Sequence, residues 1–445
     1  MTPSQRGVAG AVETAARPPD GNEILQGDRL GGLDPADLAA RFGTPLYVYD
    51  LDVIERQAYA LREAMPPIVD IAYAIKANPS LAIVAHLGRL GLGADVASGG
   101  ELATAIRAGI RADQIVVTGP GKRDAELRDA VEARVRAITV ESPGELDRLE
   151  RIAAEAGRRV PILVRASIGA ADGGERVRMV GDGGARKFGM DEPDLRAAAR
   201  SAARSRHLEL LGIHRFGASN VLDAGRLAAH VAETVDLAQA VTAHAGVPLR
   251  MVDAGGGLGI PYEVHEEPLD FGDLGRRLGA LAATWAATPS IRDLRLLLEP
   301  GRWLVGAAGA YLARVVDRKR VGETEVAILD GGVHHLLRPA LVGQAHRVRI
   351  LGADPGATRS SRVTIAGPLC SGLDIFAANA TLTVPAVGDL VAVLDAGAYG
   401  FTESMPLFLS HAVPAEVAIR CGRAALIRPR LEPAEWLDRQ LLPAW

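Results

Sequence analysis

The chain has 445 residues, of which 48% are hydrophobic, and carries a formal net charge of −4 with a pI near 6.2. That length allows two or three domains, one of which can be a barrel of about 250 residues, and the apolar content supplies a large core. Acidic and basic residues are interspersed, so composition gives no reason to expect a nucleic-acid partner. The two cysteines, Cys370 and Cys421, stand far apart without metal-ligand spacing, which argues against a disulfide framework or a metal site and fits a reducing cytoplasm. Neither a charged-then-apolar leader nor an apolar run of about 18 residues is present, so neither secretion nor a membrane span is expected.

Residues 1–24, rich in Gly, Ala, Pro and polar groups, are expected to form a mobile tail, and residues 25–46 a segment joining a C-terminal domain. Asp34-Pro35 followed by an apolar-periodic run to Gly43 predicts a short helix with an Asp cap and a Gly stop. From residue 47 the pattern becomes regular. Strand-like runs recur at 71–75, 92–96, 115–118, 137–140, 161–166, 208–214, 249–253 and 294–299, with helical segments such as 100–109, 124–135, 144–157 and 222–245 between them. Eight such alternations predict an α/β fold, a (β/α)8 TIM-like barrel over 47–302. From about Trp303 the helical period gives way to short alternating runs at 312–317, 325–330, 347–351, 362–366, 390–395 and 416–420, which predict an antiparallel β-domain over 303–445. The stretch 171–189 reads as a long loop, a lid or specificity segment.

The strand ends carry the chemistry. Lys76 follows the first strand, with Pro79 expected in the first turn of the next helix. Asp95 closes the second, Arg165 the fifth and His214 the sixth; Asp253-Ala254-Gly255-Gly256-Gly257 follows the seventh and Glu299-Pro300-Gly301-Arg302 the eighth. Each has a bland reading: a solvated lysine, a helix cap at Asp95, a salt bridge at Arg165, a rim charge at Glu299. Their gathering on one barrel face favours a shared site. Three consecutive glycines let backbone N–H groups approach a phosphate, and Arg302 adds a charged fork. With Lys76, the combination points to pyridoxal 5′-phosphate (PLP) held as a Schiff base, and Glu299 would then keep the pyridine nitrogen protonated.

Here the chain resembles a known family. Tyr73–Asn78, Gly93–Ser98, Lys187-Phe188-Gly189, Asp253–Gly257, Glu299–Arg302, Gly367-Pro368-Leu369-Cys370 and Asp395–Gly400 are similar to the motifs of the fold-type III PLP-dependent decarboxylases, the diaminopimelate and ornithine decarboxylase group, whose barrel and β-domain are shared with alanine racemases. The resemblance runs from about residue 25 to 430. It implies that Lys76 forms the Schiff base with Asp95 nearby, that Glu299 pairs with the pyridine nitrogen, and that Gly255, Gly256, Gly257, Arg302 and Tyr399 hold the phosphate, with Ser219 also matching a phosphate ligand. Arg165, His214 and Gly301 join the cofactor-binding set. Cys370 would protonate the carbanion from the neighbouring subunit of a head-to-tail homodimer. The bland alternative for Cys370, and the reading kept for Cys421, is a buried small hydrophobe.

Departures from the family pattern bear on substrate. Phe216 stands where a second histidine stacks on the cofactor ring, keeping the face contact without a titratable nitrogen. Ser371 stands where members acting on diamino substrates have Asp or Glu, and losing that partner at a desolvated site costs on the order of 2–5 kcal/mol. Val342 replaces a tyrosine near Arg338, which would bind a substrate carboxylate or make a salt bridge. Arg302, Arg338, Ser371 and Tyr399 make up the expected substrate contacts. Gly119–Arg123 and Asp330–His335 look more like divergent decarboxylases of biosynthetic gene clusters, some acting on aminoacyl groups tethered to a carrier protein. The expected activity is α-decarboxylation of an amino acid lacking a distal ammonium, free or as a glutamyl or aspartyl group on an acyl carrier protein, for which Arg176, Arg178, Arg186 and Lys187 could form a basic patch. The alternatives are diaminopimelate decarboxylase itself, an amino-acid racemase, which Glu299 disfavours, and a silent PLP-binding homologue.

Overall fold

The computed structural model describes residues 23–167, 187–263, 265–352 and 360–444. The chain folds as two compact units. One comprises Gln57–Ile260 and Glu267–Leu304; the other comprises the residues up to Arg56, Pro261–Glu266 and Val305 onward.

The first unit is a closed barrel of eight parallel strands. In chain order they are Val69–Ala74, Gly93–Val96, Ile115–Val117, Ala137–Val140, Val160–Arg165, Leu208–His214, Met251–Asp253 and Arg295–Leu298. Strands buried on both faces read as continuous apolar runs, which is why all eight are visible in the sequence. The eighth pairs with the first, Leu296 opposite Val69 and Leu298 opposite Ile71, and this closes the barrel. Ala72, Val116, Ala137, Leu163, Met251 and Leu297, each at most 3% exposed, form one packed cluster of barrel strands. At about 1.5–3 kcal/mol for each large aliphatic side chain removed from water, such clusters are the main favourable term holding the scaffold. Ser98 and Ser142 cap the helices Gly99–Arg107 and Pro143–Glu155, their hydroxyls accepting the N–H groups of Glu101 and Glu145.

Where the barrel strands begin, Asp70 accepts hydrogen bonds from both Arg136 and Arg295 and borders a cavity of about 340 Å³. Where they end lies the site. The first strand stops at Ala74, a single tight turn spans Ile75–Ala77, and the next helix begins only at Leu81. Pro79 therefore precedes the Ser80 cap instead of sitting in the first helical turn, because the residue before a proline is driven out of helical geometry and Asn78 is extended.

The second unit is a nine-stranded sheet. Its strand Leu46–Asp50, buried throughout, pairs antiparallel with Gly309–Val321, Tyr47 opposite Tyr311, and parallel with Ala415–Arg420, Tyr47 opposite Glu416. Residues 47–56 thus belong to this unit and not to the barrel, a correction to the boundary expected at 47. Pairing partners so distant in sequence leave no local signal. The sheet is also mixed, since Thr324–Leu329 runs parallel to Ser360–Ala366. Leu46, Val48, Leu312, Ala392 and Val417 share a core with Leu38 and Ala39 of the helix Pro35–Phe42, which Asp34 caps as expected. Ile24 is buried and donates its N–H to Ala307 O, and Glu23 pairs with Arg347, so the expected tail overreached by two residues; its remainder lies outside the described residues. Among the described residues no helix is long and apolar enough to cross a membrane.

Candidate active site

Lys76 projects from the tight turn after the first strand. Its Nζ lies 2.9 Å from Asp95 Oδ2, and Thr118 Oγ1 donates to Asp95 Oδ1 at 2.6 Å. Burial and the charge of Glu299 push the Asp95 carboxyl up, while Lys76 and Thr118 pull it back. Thr118 was not anticipated, because its role appears only when the second and third strands lie side by side.

The glycine turn is threaded between two neighbours. A Cβ on Gly256 would stand 2.3 Å from Glu299 O, one on Gly257 2.5 Å from Ala218 O, and one on Gly255 2.8 Å from the Phe216 ring. Gly255 and Gly257 also adopt φ of +68° and +96°. Gly255 N–H donates to Asp253 Oδ1 at 2.9 Å, Glu299 N–H donates to Gly255 O, and Gly257 O accepts from Val221 N–H. The N–H groups of Gly256 and Gly257 find no acceptor among the described residues. Arg302 Nη2 donates to Ser219 Oγ at 3.3 Å. Gly301 packs on Ala77, where a Cβ would lie 2.8 Å from the alanine methyl, so the eighth strand's end lies directly against the Lys76 turn.

Deeper in the barrel end, His214, Asp253 and Glu299 are buried and each offers an atom within 4.8 Å of the others. His214 Nε2 stands 3.7 Å from Glu299 Oε2. Burial, then the charge of Glu299, pushes the Asp253 carboxyl well above the usual range; burial works the same way on Glu299, but His214 and Lys76 outweigh it and keep Glu299 ionised. Glu299 Oε1 meets no N–H or O–H donor among the described residues.

Arg165 has its bland role as well: it pairs with Glu141, which also accepts Gly189 N–H at 3.0 Å, and its guanidinium lies 4.8 Å from the Phe188 ring centroid. Glu141 was missed in the sequence, as was His230, whose Nε2 lies 3.1 Å from Arg215 O and 3.2 Å from Ala254 O and ties the Phe216 loop to the glycine turn. The rest of the 171–189 loop, with Arg176, Arg178 and Arg186, lies outside the described residues.

In the sheet unit, Arg338 is buried and already engaged. It donates to Glu403 Oε2 at 2.6 Å and to Gln344 Oε1 at 3.0 Å, and lies 5.0 Å from the Tyr399 ring centroid. Cys370 and Cys421 are both exposed, which corrects the buried reading of Cys421; its N–H donates to Asp52 Oδ2. Ser371 Oγ accepts the Leu373 N–H at 3.2 Å, closing the turn. The nearest acid, Asp374, is 2% exposed and accepts the N–H groups of Val333 and Leu369.

The family model described as "Pyridoxal-dependent decarboxylase, pyridoxal binding domain" matches residues 51–306. The chain belongs to this family. It is 33% identical to the L-glutamyl-[BtrI acyl-carrier protein] decarboxylase of Niallia circulans, over 89% of this chain and 94% of that one. It is 35% identical to the diaminopimelate decarboxylase of Methanothermobacter thermautotrophicus, over 93% and 96%. The crystal structure of diaminopimelate decarboxylase from M. jannaschi superposes with a TM-score of 0.87 at 28% identity, covering 95% of this chain and 98% of that one. The protein is thus a fold-type III PLP-dependent amino-acid decarboxylase. The barrel residues fit the cofactor: an amine at Lys76, two unengaged glycine N–H groups beside Arg302 and Ser219 for a phosphate, and a buried anionic oxygen on Glu299 for a pyridinium N–H.

Proposed function

We propose that this decarboxylase acts on an amino acid without a distal ammonium, carried as a glutamyl or aspartyl group on an acyl carrier protein. The observation that carries this reading is the turn at 370–374. Ser371 replaces an acid there and caps its own turn, and Asp374, the remaining carboxylate, faces inward onto two backbone N–H groups. A buried or half-buried ammonium without a counter-charge costs several kcal/mol, so such a substrate end is poorly provided for. The Arg338 charge is likewise matched by Glu403, which weakens selection for a free distal carboxylate. Similarity to a carrier-protein-dependent decarboxylase supports the same assignment.

In this reading Lys76 Nζ holds the PLP aldehyde and Asp95 orients the amine. The Gly256 and Gly257 N–H groups, Arg302, Ser219 and Tyr399 hold the phosphate, and Phe216 covers a ring face. Bound PLP supplies an electron sink for the pair released when the carboxylate leaves as CO₂. Glu299 keeps the pyridine nitrogen protonated, and the exposed Cys370 thiol returns a proton to the α-carbon. We assign the working unit as a head-to-tail homodimer and its location as the cytoplasm.

Diaminopimelate decarboxylase is the second reading, favoured by 35% identity to an enzyme of that name. The deciding experiment measures CO₂ from free meso-diaminopimelate, lysine, ornithine, arginine, glutamate and aspartate, and from glutamyl and aspartyl carrier protein, with Cys370→Ala as control. Release from the carrier-bound substrates alone is the expected result; release from diaminopimelate overturns the proposal.

A further inference from the structure

Two segments assigned to the cofactor separate just beyond the barrel strands. The sixth and seventh strands pair as far as His214 and Asp253, and Arg215 N–H still donates to Asp253 O at 2.9 Å. The next backbone bond between the two segments, among the described residues, runs from Val221 N–H to Gly257 O at 2.7 Å. Between these points lie Phe216 and Ser219 on one side and Gly255 and Gly256 on the other. Among the described residues the carbonyls of Arg215 and Ala254 accept no backbone N–H. A side chain closes this gap. His230, on the helix Ala224–Ala245, sets its Nε2 3.1 Å from Arg215 O and 3.2 Å from Ala254 O. Carbonyl oxygens only accept, so the nitrogen between them carries a proton and donates to both. Room for the ring is left by Gly217, where a Cβ would lie 2.7 Å from His230 Nδ1 and 2.8 Å from its Cε1.

We propose that His230 is a positioning residue for the cofactor: by donating one N–H to both carbonyls it holds the segment carrying Phe216 and Ser219 in fixed register with the glycine turn. This rests on the assignment of the PLP phosphate to Gly256, Gly257, Arg302 and Ser219 and of a ring face to Phe216. Without the donor, two carbonyl oxygens lose the partner that joins them, and an unsatisfied pair of acceptors in a half-buried place is relieved by moving apart. Such a movement draws Ser219 away from Arg302 and the Phe216 ring away from Gly255, where a Cβ would stand only 2.8 Å from that ring. The grip on the phosphate and the cover on the ring are therefore set by the same histidine, which acts through these residues and need not reach the cofactor itself.

Glutamine brings an amide N–H close to the position of Nε2, whereas leucine is of similar size and has no donor. The test therefore compares His230→Gln with His230→Leu, and uses Gly256→Ala as the reference for a damaged phosphate turn. The measurements are the PLP dissociation constant by fluorescence titration, the visible circular dichroism of bound PLP, which reports how the ring is held, and the melting temperature of the PLP-free protein. H230L should lose at least about tenfold in PLP affinity and alter the dichroic band, while H230Q stays within about threefold of the native protein and keeps its band. If H230L does not fold, Gly217→Ala takes its place: its methyl must push the ring off the two carbonyls, and a loss of about tenfold is again expected. Native affinity and a native band in H230L or its replacement, whatever the melting temperature, leave His230 a purely structural role and overturn the proposal. So does an H230Q protein as impaired as H230L. A weakened G256A beside a native-like H230L rejects the role of His230 alone; a G256A that also binds PLP like the native protein rejects the phosphate placement, and the proposal falls with it. None of these readouts uses a substrate, so the outcome is independent of whether the carrier-bound assignment stands.

Discussion

Lys76 and Asp95 form an ion pair of 2.9 Å in which the lysine side chain is 42% exposed and the aspartate fully buried. The buried partner is fixed by Thr118, so the ammonium is aimed while its approach stays open. Lys76→Ala should abolish the visible absorbance of bound PLP and the mass increment left after borohydride reduction. Asp95→Ala should keep the covalent link but weaken PLP retention by about tenfold to a hundredfold, the usual scale for one hydrogen bond to a charged group.

Gly256→Ala places a methyl 2.3 Å from a backbone oxygen of Glu299, which cannot rotate away. The turn must shift, at a cost of about 1–3 kcal/mol. The expected result is a folded protein whose PLP dissociation constant rises by at least about tenfold, read by fluorescence titration.

Ser371→Asp restores an acid beside Cys370. If the absence of that charge is what excludes a distal ammonium, kcat/KM for a free diamino acid should rise by at least about tenfold. Asp374→Ala, in contrast, strips two backbone N–H groups of their acceptor and should lower stability by about 2–4 kcal/mol in denaturant titration.

Acid should weaken the sheet unit through His334. This ring is fully buried, neither nitrogen has a partner among the described residues, and its centroid lies 3.6 Å from that of His335 and 5.0 Å from that of His411. Burial, and then His411, pull its pKa down to about 4 from an ordinary 6.5. The unfolded chain therefore takes up the proton first. The stability contributed by the neutral ring is complete above pH 6.5 and is lost as pH falls from 6.5 through 4, about 3 kcal/mol at most. Melting temperature measured from pH 7.5 down to 4.5 should fall, and His334→Leu should flatten that decline.

The barrel was legible because its strands are short apolar runs and its reactive groups sit at their ends; Lys76, Asp95, Glu299 and the 255–257 glycines were all placed from neighbours in sequence. What escaped depends on contacts between distant segments. Glu141 is an ordinary acid until Arg165 and Gly189 arrive, and nothing near Asp253 announces that its carboxyl lies within 4.8 Å of atoms of His214 and Glu299. Leu46–Asp50 reads as a strand, but only its pairing assigns it to the sheet. The inward turn of Asp374 has the same origin, since Val333 lies far from it along the chain.

That strand has a consequence for synthesis. All residues of the barrel have left the ribosome once Leu304 has emerged, and its neighbours in sequence are its neighbours in space. Leu46–Asp50 is made before them and must wait for Gly309–Val321 and then Ala415–Arg420. Until the last of these is translated it presents an apolar edge with unsatisfied backbone groups, a template for pairing with another nascent chain. A chain cut short before Ala415 would keep that edge permanently, so loss of its last few dozen residues threatens solubility more than it threatens the barrel.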